Sequence, residues 1–249
     1  MHDLHGWPSA TYTTRTLART FDLRKEARQF KNQLDEVLNC TVCNGVSLTP
    51  IVTSKAPQRV VIGYRITKDN QDLTEGVPVT TSGRDPRFYL GLSIRLAPDE
   101  AAEHLMVVSS TAILAIDPDV ANDSNVLLHY DYERGKEGYP EAHLQICATS
   151  GAWCEAGRRL DGKDRLLERL HLPVGGRRFR PTLEDIIEFL IREQLADARD
   201  GWESALDAGR SRFRDIQLKA AVRRNVPAAI AALEKLGYTV KPPKTPRGD

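Results

Sequence analysis

Long apolar runs are missing from this chain of 249 residues. None approaches the roughly 18 consecutive apolar residues of a membrane-crossing helix, so no membrane association through such a span is expected. Cysteine is scarce: four residues in a chain of this length do not make a disulfide scaffold, and a cytoplasmic location is the expectation. Net charge is also lacking, since 35 Lys and Arg nearly cancel 34 Asp and Glu. Any case for a polyanionic partner must therefore rest on a local patch. The start, MHDLHGWPSATYTTRT, has no basic stretch followed by an apolar core, so no signal peptide is expected. Walker, nucleophile-elbow, kinase, Rossmann and H-E-x-x-H patterns are absent, which removes the reaction classes those spacings serve.

What is present is an ordinary globular composition, long enough to bury a sizeable core. From Arg15 to Leu38, apolar residues recur at three- and four-residue steps, which predicts an amphipathic helix. Asp22 is placed to cap its second part. Residues 49–54, 59–67, 77–81, 87–96 and 104–116 are rich in Val, Ile, Thr and Tyr and are separated by turn clusters, so they read as strands. The intervening PDEAAEHL has the character of one short helical turn. Short loops without long crossovers argue for a mainly antiparallel sheet. Further on, Asp164–Leu170 reads as a short helix, and Thr182 with Asp185 has the form of a capping box opening another. A helix with Gly209 inside it follows, then one that begins at Pro227 and stops at Gly237. The fold class is α+β: an N-terminal arm and helix over 1–44, an antiparallel sheet core over 45–181, C-terminal helices over 182–240, and a Pro- and Lys-rich disordered tail over 241–249. A separate helical domain from about residue 182 is the alternative division.

The most informative stretch runs from Val126 to Ile146, two alternating segments around a Gly- and Pro-containing loop, the signature of a β-hairpin. Side chains alternate across a strand. His129, Asp131 and Glu133 therefore share one face, and Leu128, Tyr130 and Tyr132 the other; on the return strand Glu141, His143 and Gln145 oppose Ala142, Leu144 and Ile146. If the apolar rows face the core, two imidazoles and several carboxylates meet on one surface, where they could exchange protons or hold a metal. Polar residues on the wet side of an antiparallel sheet are the plain alternative.

Two further features carry chemistry. His171 precedes a glycine-rich basic loop, in which Arg177, Arg178, Phe179 and Arg180 lead into a helix start. Guanidiniums there could hold phosphates of RNA or DNA and Phe179 could stack on a base, or the arginines could simply pair with Glu184, Asp185 and Glu188. Cys40-x-x-Cys43 before Asn-Gly is like one half of a zinc knuckle, with Cys147 and Cys154 as the other half; free thiols are the alternative. No other cofactor is indicated.

The order H-Y-D-Y-E, Y-P-E-A-H-L-Q-I, R-L-H-L-P and then T-L-E-D-I-I-E-F-L-I, over residues 126–191, resembles small ribonuclease toxins of bacterial toxin–antitoxin modules. In those proteins a His-bearing hairpin is followed by a His strand and a closing helix. The resemblance implies metal-free RNA cleavage, with His129, His143, His171 and Arg178 handling protons and phosphate. This chain is longer, and its N-terminal helix and additional strands have no counterpart. The expectation is a cytoplasmic bacterial protein acting on or binding nucleic acid, with His129, Asp131, His143 and His171 as catalytic candidates. The competing expectation is a non-catalytic module whose C-terminal helices dock a protein partner. Whether the chain is an enzyme, and its oligomeric state, stay open at this level.

Overall fold

The computed structural model describes residues 21–53, 57–82, 85–138, 140–147, 172–173, 181–193 and 195–241. Helix α1 spans Leu23–Thr41, and the Asp22 carboxylate accepts the N–H groups of Arg24 and Lys25, satisfying two of its orphan donors. Its buried stripe, Ala27, Leu34, Val37 and Leu38, follows the three- and four-residue spacing of the sequence. The helix runs past the expected Leu38 because Arg199 closes its end. Arg199 N–H donates to Thr41 O (3.0 Å), and its guanidinium donates to Cys43 O (3.2 Å) and Asn44 Oδ1 (3.1 Å). A cation over the negative end of a helix dipole is favourable.

Asn39 and Asp35 then fix the turn into the sheet. Asn39 exchanges two bonds with the backbone of Val46, and Asp35 accepts the N–H of Leu48 (2.9 Å) while pairing with Lys31 (2.6 Å). The strands are β1 (Thr49–Val52), β2 (Val60–Gly63), β3 (Val77–Pro78), β4 (Tyr89–Pro98), β5 (Leu105–Ala115), β6 (Val126–Glu133), β7 (Ala142–Ile146) and β8 (Leu172–Pro173). They form one open, antiparallel sheet in the order β1-β2-β4-β5-β6-β7-β8, with β3 pairing onto β4. The mainly antiparallel α+β architecture read from the sequence is thus the architecture of the protein. Residues 99–104 form a turn rather than the expected helical one: the Asp99 carboxylate accepts the N–H groups of Glu103 and His104, and its own backbone N–H bonds His104 O.

Three helices follow: α2 (Leu183–Arg192), α3 (Trp202–Arg224) and α4 (Val226–Lys235). The capping box at the start of α2 is complete, Thr182 and Asp185 each bonding the other's backbone N–H. The core lies on one face of the sheet. Leu90, Leu92, Leu96 and Leu114 pack there with the buried stripe of α1, with Ile186, Ile187 and Leu190 of α2, and with Leu206 of α3. Arg210 joins α2 to α3 through Asp185 (3.1 Å) and Glu188. The opposite face of the sheet is only partly covered. Over its β2–β4 side, Val61 and Ile66 are buried, and Val120 reaches to Gly91, where an added Cβ would stand 3.1 Å from a Val120 methyl. On that side Ser93, Thr111, His129, Asp131 and Gln145 are partly buried and His143 is buried.

Candidate active site

Strand β5 is the scaffold of the exposed face, being central and paired with both β4 and β6. Ser93, Thr111, Asp131 and His143 stand directly opposite one another on β4, β5, β6 and β7, in a single cross-strand row. The next row carries Gly91, Ile113, His129 and Gln145. The two histidines and Asp131 are therefore on the same side of the sheet. The apolar row Leu128, Tyr130 and Tyr132 takes the other side, because one-residue alternation is rigid once the register is set.

The side chains converge on Asp131. Thr111 Oγ1 donates to Asp131 Oδ1 (2.7 Å). The other oxygen, Oδ2, stands 3.6 Å from His129 Nε2 and 3.6 Å from His143 Nε2. His129 Nε2 also lies 2.6 Å from Gln145 Oε1. An Nε2–H on His129 would satisfy both that amide oxygen and Asp131 Oδ2, and the lone pair of the neutral ring would then sit on Nδ1. His143 is only 4% exposed. Its Nδ1 lies 3.3 Å from Pro140 O and its Nε2 faces the Asp131 carboxylate, so both ring nitrogens look at oxygens. A buried imidazole held this way fixes the carboxylate, while His129 and Asp131 are both only partly buried and within reach of solvent and a ligand. The arrangement can take up a proton at His129 Nδ1 and spread the resulting charge over Asp131.

Beside this cluster, on the same face, Ser93, Arg95, Ser109 and Thr111 line a depression of about 210 Å³ together with Asp72. Thr111 belongs to both the depression and the cluster. Arg95 is exposed there and supplies a cation one row along from Ser93.

No family model, no curated protein and no solved structure matches this chain. What the site does has to be argued from its own chemistry.

The remaining sequence candidates are distributed as follows. Glu133 pairs with Lys136 (3.0 Å), and Glu141 accepts the N–H of Gly135 (2.8 Å). Both brace the hairpin loop rather than the cluster. His171, Arg177, Arg178, Phe179, Arg180 and Cys154 lie outside the described residues. Cys40 is exposed in the last turn of α1, Cys43 is fully buried just beyond it, and Cys147 follows β7 with its N–H on Leu127 O. The cysteine pair thus sits at the end of α1. Burial pushes the Cys43 thiol up to about 12, against the opposing pull of Arg199, so it is a thiol at neutral pH. Among the described residues no three His, Cys, Asp or Glu side chains are grouped to hold a metal ion. His104 stands 3.3 Å from Asp99. Burial works to raise that carboxyl, but the N–H groups of Glu103 and His104, with the His104 ring, together hold it below the ordinary value.

Sequence reasoning missed Thr111 and Arg95, and it left Gln145 as one polar residue among others. The signal for Thr111 was the Ser109-Ser110-Thr111 insert in an otherwise apolar strand. Its meaning depended on a register that only pairing supplies.

Proposed function

We propose that the protein is a bacterial, cytoplasmic nuclease of the toxin or defence type, cleaving RNA by general acid–base chemistry without a metal. The observation that carries this reading is the carboxylate held between two imidazoles on the polar face of the sheet, beside an arginine-bearing depression. In the step proposed, His129 Nδ1 takes the proton of a ribose 2′-hydroxyl, the 2′-oxygen bonds to phosphorus, and the bond to the 5′-oxygen breaks. That oxygen leaves with a proton from water. Asp131 stabilises the imidazolium formed, His143 and Thr111 fix Asp131, and Arg95 meets the phosphate charge.

The sequence just after β8 supplies a second source of cations. Pro173 is opposite His143 in the β7–β8 pairing, and Arg180 follows it by seven residues. The contour from Pro173 to Arg180 is no more than about 25 Å. Arg177, Arg178 and Arg180 follow Pro173 by four, five and seven residues in the chain, and guanidiniums suit phosphate binding.

The test is cleavage and binding of RNA and of DNA of the same sequence, comparing the protein with His129→Ala, Arg95→Ala and Arg178→Ala. The expected result is RNA cleavage lost in His129→Ala and weakened binding in both arginine variants, with DNA uncut because it lacks the 2′-hydroxyl. Cutting that survives His129→Ala, or equal cutting of DNA, would defeat the mechanism.

A further inference from the structure

Asp72 joins the depression beside Asp131 from a turn that takes no part in the proton transfers above. The turn is held by its own bonds: Thr67 N–H donates to Asn70 O (2.8 Å), and Asp72 N–H to Asn70 Oδ1 (3.0 Å). Just past it, Val120 N–H donates to Thr74 O (3.2 Å) and pins the chain. The Asp72 carboxylate is thus presented from a fixed backbone.

The depression has bonding capacity that the protein does not use. Asp72, Ser93, Arg95 and Ser109 line it, and none of their side chains has a hydrogen bond or ion pair among the described residues. Asp72 and Arg95 bring opposite charges to it without pairing with each other. Leu73 and Ile113, both partly buried, add apolar surface. A ligand that suits this lining offers a donor edge to the carboxylate, a negative charge to the guanidinium and a flat face to the apolar groups. A nucleotide offers all three. At about 210 Å³ the depression is smaller than the roughly 300–1,000 Å³ sites of drug-sized ligands, so it holds one base.

Its position selects which nucleotide. Ile113 is the direct cross-strand partner of His129, and Thr111 of Asp131. Neighbouring strands lie about 4.8 Å apart, so a base seated on β4 and β5 brings its own ribose to β6, where His129 stands. The carboxylate selects which base. Guanine alone carries two donors side by side on its pairing edge, N1–H and the N2 amine, and one carboxylate accepts both. Adenine and cytosine set a ring-nitrogen lone pair beside their amine, and uracil flanks its single N–H with two carbonyl oxygens. Each of these turns an acceptor toward a carboxylate oxygen. The hydroxyls of Ser93 and Ser109 are free to donate to guanine O6.

Resting on the nuclease reading, we propose that Asp72 determines base specificity: it reads guanine in the nucleotide whose 2′-hydroxyl His129 deprotonates, so that the protein cuts on the 3′ side of guanosine. Arg95 keeps its place at the phosphate of that nucleotide.

The test uses the full chain and chimaeric oligonucleotides, DNA throughout except for a single guanosine, inosine, adenosine, cytidine or uridine ribonucleotide. Guanosine and adenosine 3′-monophosphates serve as ligands that need no cutting. Cutting after guanosine should exceed cutting after adenosine about tenfold or more, with inosine, which lacks the N2 amine, in between. Calorimetry should show the guanosine nucleotide binding about tenfold more tightly than the adenosine one. Asp72→Asn exchanges an acceptor for a donor at an exposed position and should bring both ratios toward one with an unchanged thermal melt. Equal cutting after every base, or a guanosine preference that survives Asp72→Asn, would overturn the proposal and leave the nuclease reading standing. No cutting of any chimaera, with guanosine nucleotide still preferred through Asp72, would remove the nuclease reading and uphold the guanine site. No cutting and no preference in binding would defeat both.

Discussion

Removing the carboxylate of Asp131 should expose how the sheet face is held together. Its Oδ1 accepts the Thr111 hydroxyl at 2.7 Å, and hydrogen bonds to charged groups contribute about 1.5–3 kcal/mol. Its Oδ2 stands 3.6 Å from the Nε2 of each histidine. A protonated imidazole at that distance gains about 4–5 kcal/mol of gross Coulomb energy at an effective dielectric of about 20, and desolvating the pair offsets most of it. Asp131 is 26% exposed, which adds partial screening by water. Asp131→Asn keeps the shape and an acceptor for Thr111 and should cost about 1 kcal/mol. Asp131→Ala also strands the Thr111 hydroxyl and removes the oxygen that faces the buried His143 Nε2, and should cost about 2–3 kcal/mol. Urea unfolding of both variants, with Thr111→Val and the Thr111→Val/Asp131→Ala double variant, closes a cycle whose coupling should be about 1 kcal/mol. An Ala variant as stable as the protein itself, or a coupling of zero, would mean that the carboxylate does not organise this face.

Two other outcomes follow from the core. Because the buried Cys43 thiol is raised from the usual 9.0 to about 12, the unfolded chain releases this proton at lower pH than the folded one. Its contribution to stability is thus complete below pH 9 and is lost as pH rises toward 12, at about 1.4 kcal/mol per pH unit. Urea unfolding from pH 8 to 10.5 should show this slope in the protein and a shallower one in Cys43→Ala, while at pH 8 a thiol reagent should label Cys40 and leave Cys43 until unfolding. An equal slope in both, or early labelling of Cys43, would refute the assignment. At Gly76 an added Cβ would stand 2.9 Å from the Tyr89 Cβ and 2.9 Å from a Val120 methyl. Gly76→Ala should therefore cost about 1–3 kcal/mol by overpacking, measured as a lowered urea midpoint with an unchanged slope; an unchanged midpoint would show that the Val120 loop yields freely.

Much of the scaffold was legible because local rules and tertiary packing agree. The three- and four-residue apolar spacing of α1, the Asp22 cap, the Thr182–Asp185 box and the stop at Gly237 each depend on residues within a few positions of one another. The length of α1 was not legible, since its last turn rests on Arg199, which is remote in sequence. Glu141 was assigned to the site by alternation alone, whereas the hairpin loop bends its carboxylate to Gly135.

The sequence by itself determined the period of each element, the two faces of the hairpin and the chemical character of the polar one. Alternation is a property of consecutive residues in an extended backbone and needs no partner. Only the tertiary structure decided that Thr111, Asp131 and His143 fall into one row, that Arg95 lies beside them, and that α3 and α4 run out of the core with their apolar side chains bare. Register and coverage are set by which strands and helices meet, and those meetings join residues that are far apart along the chain.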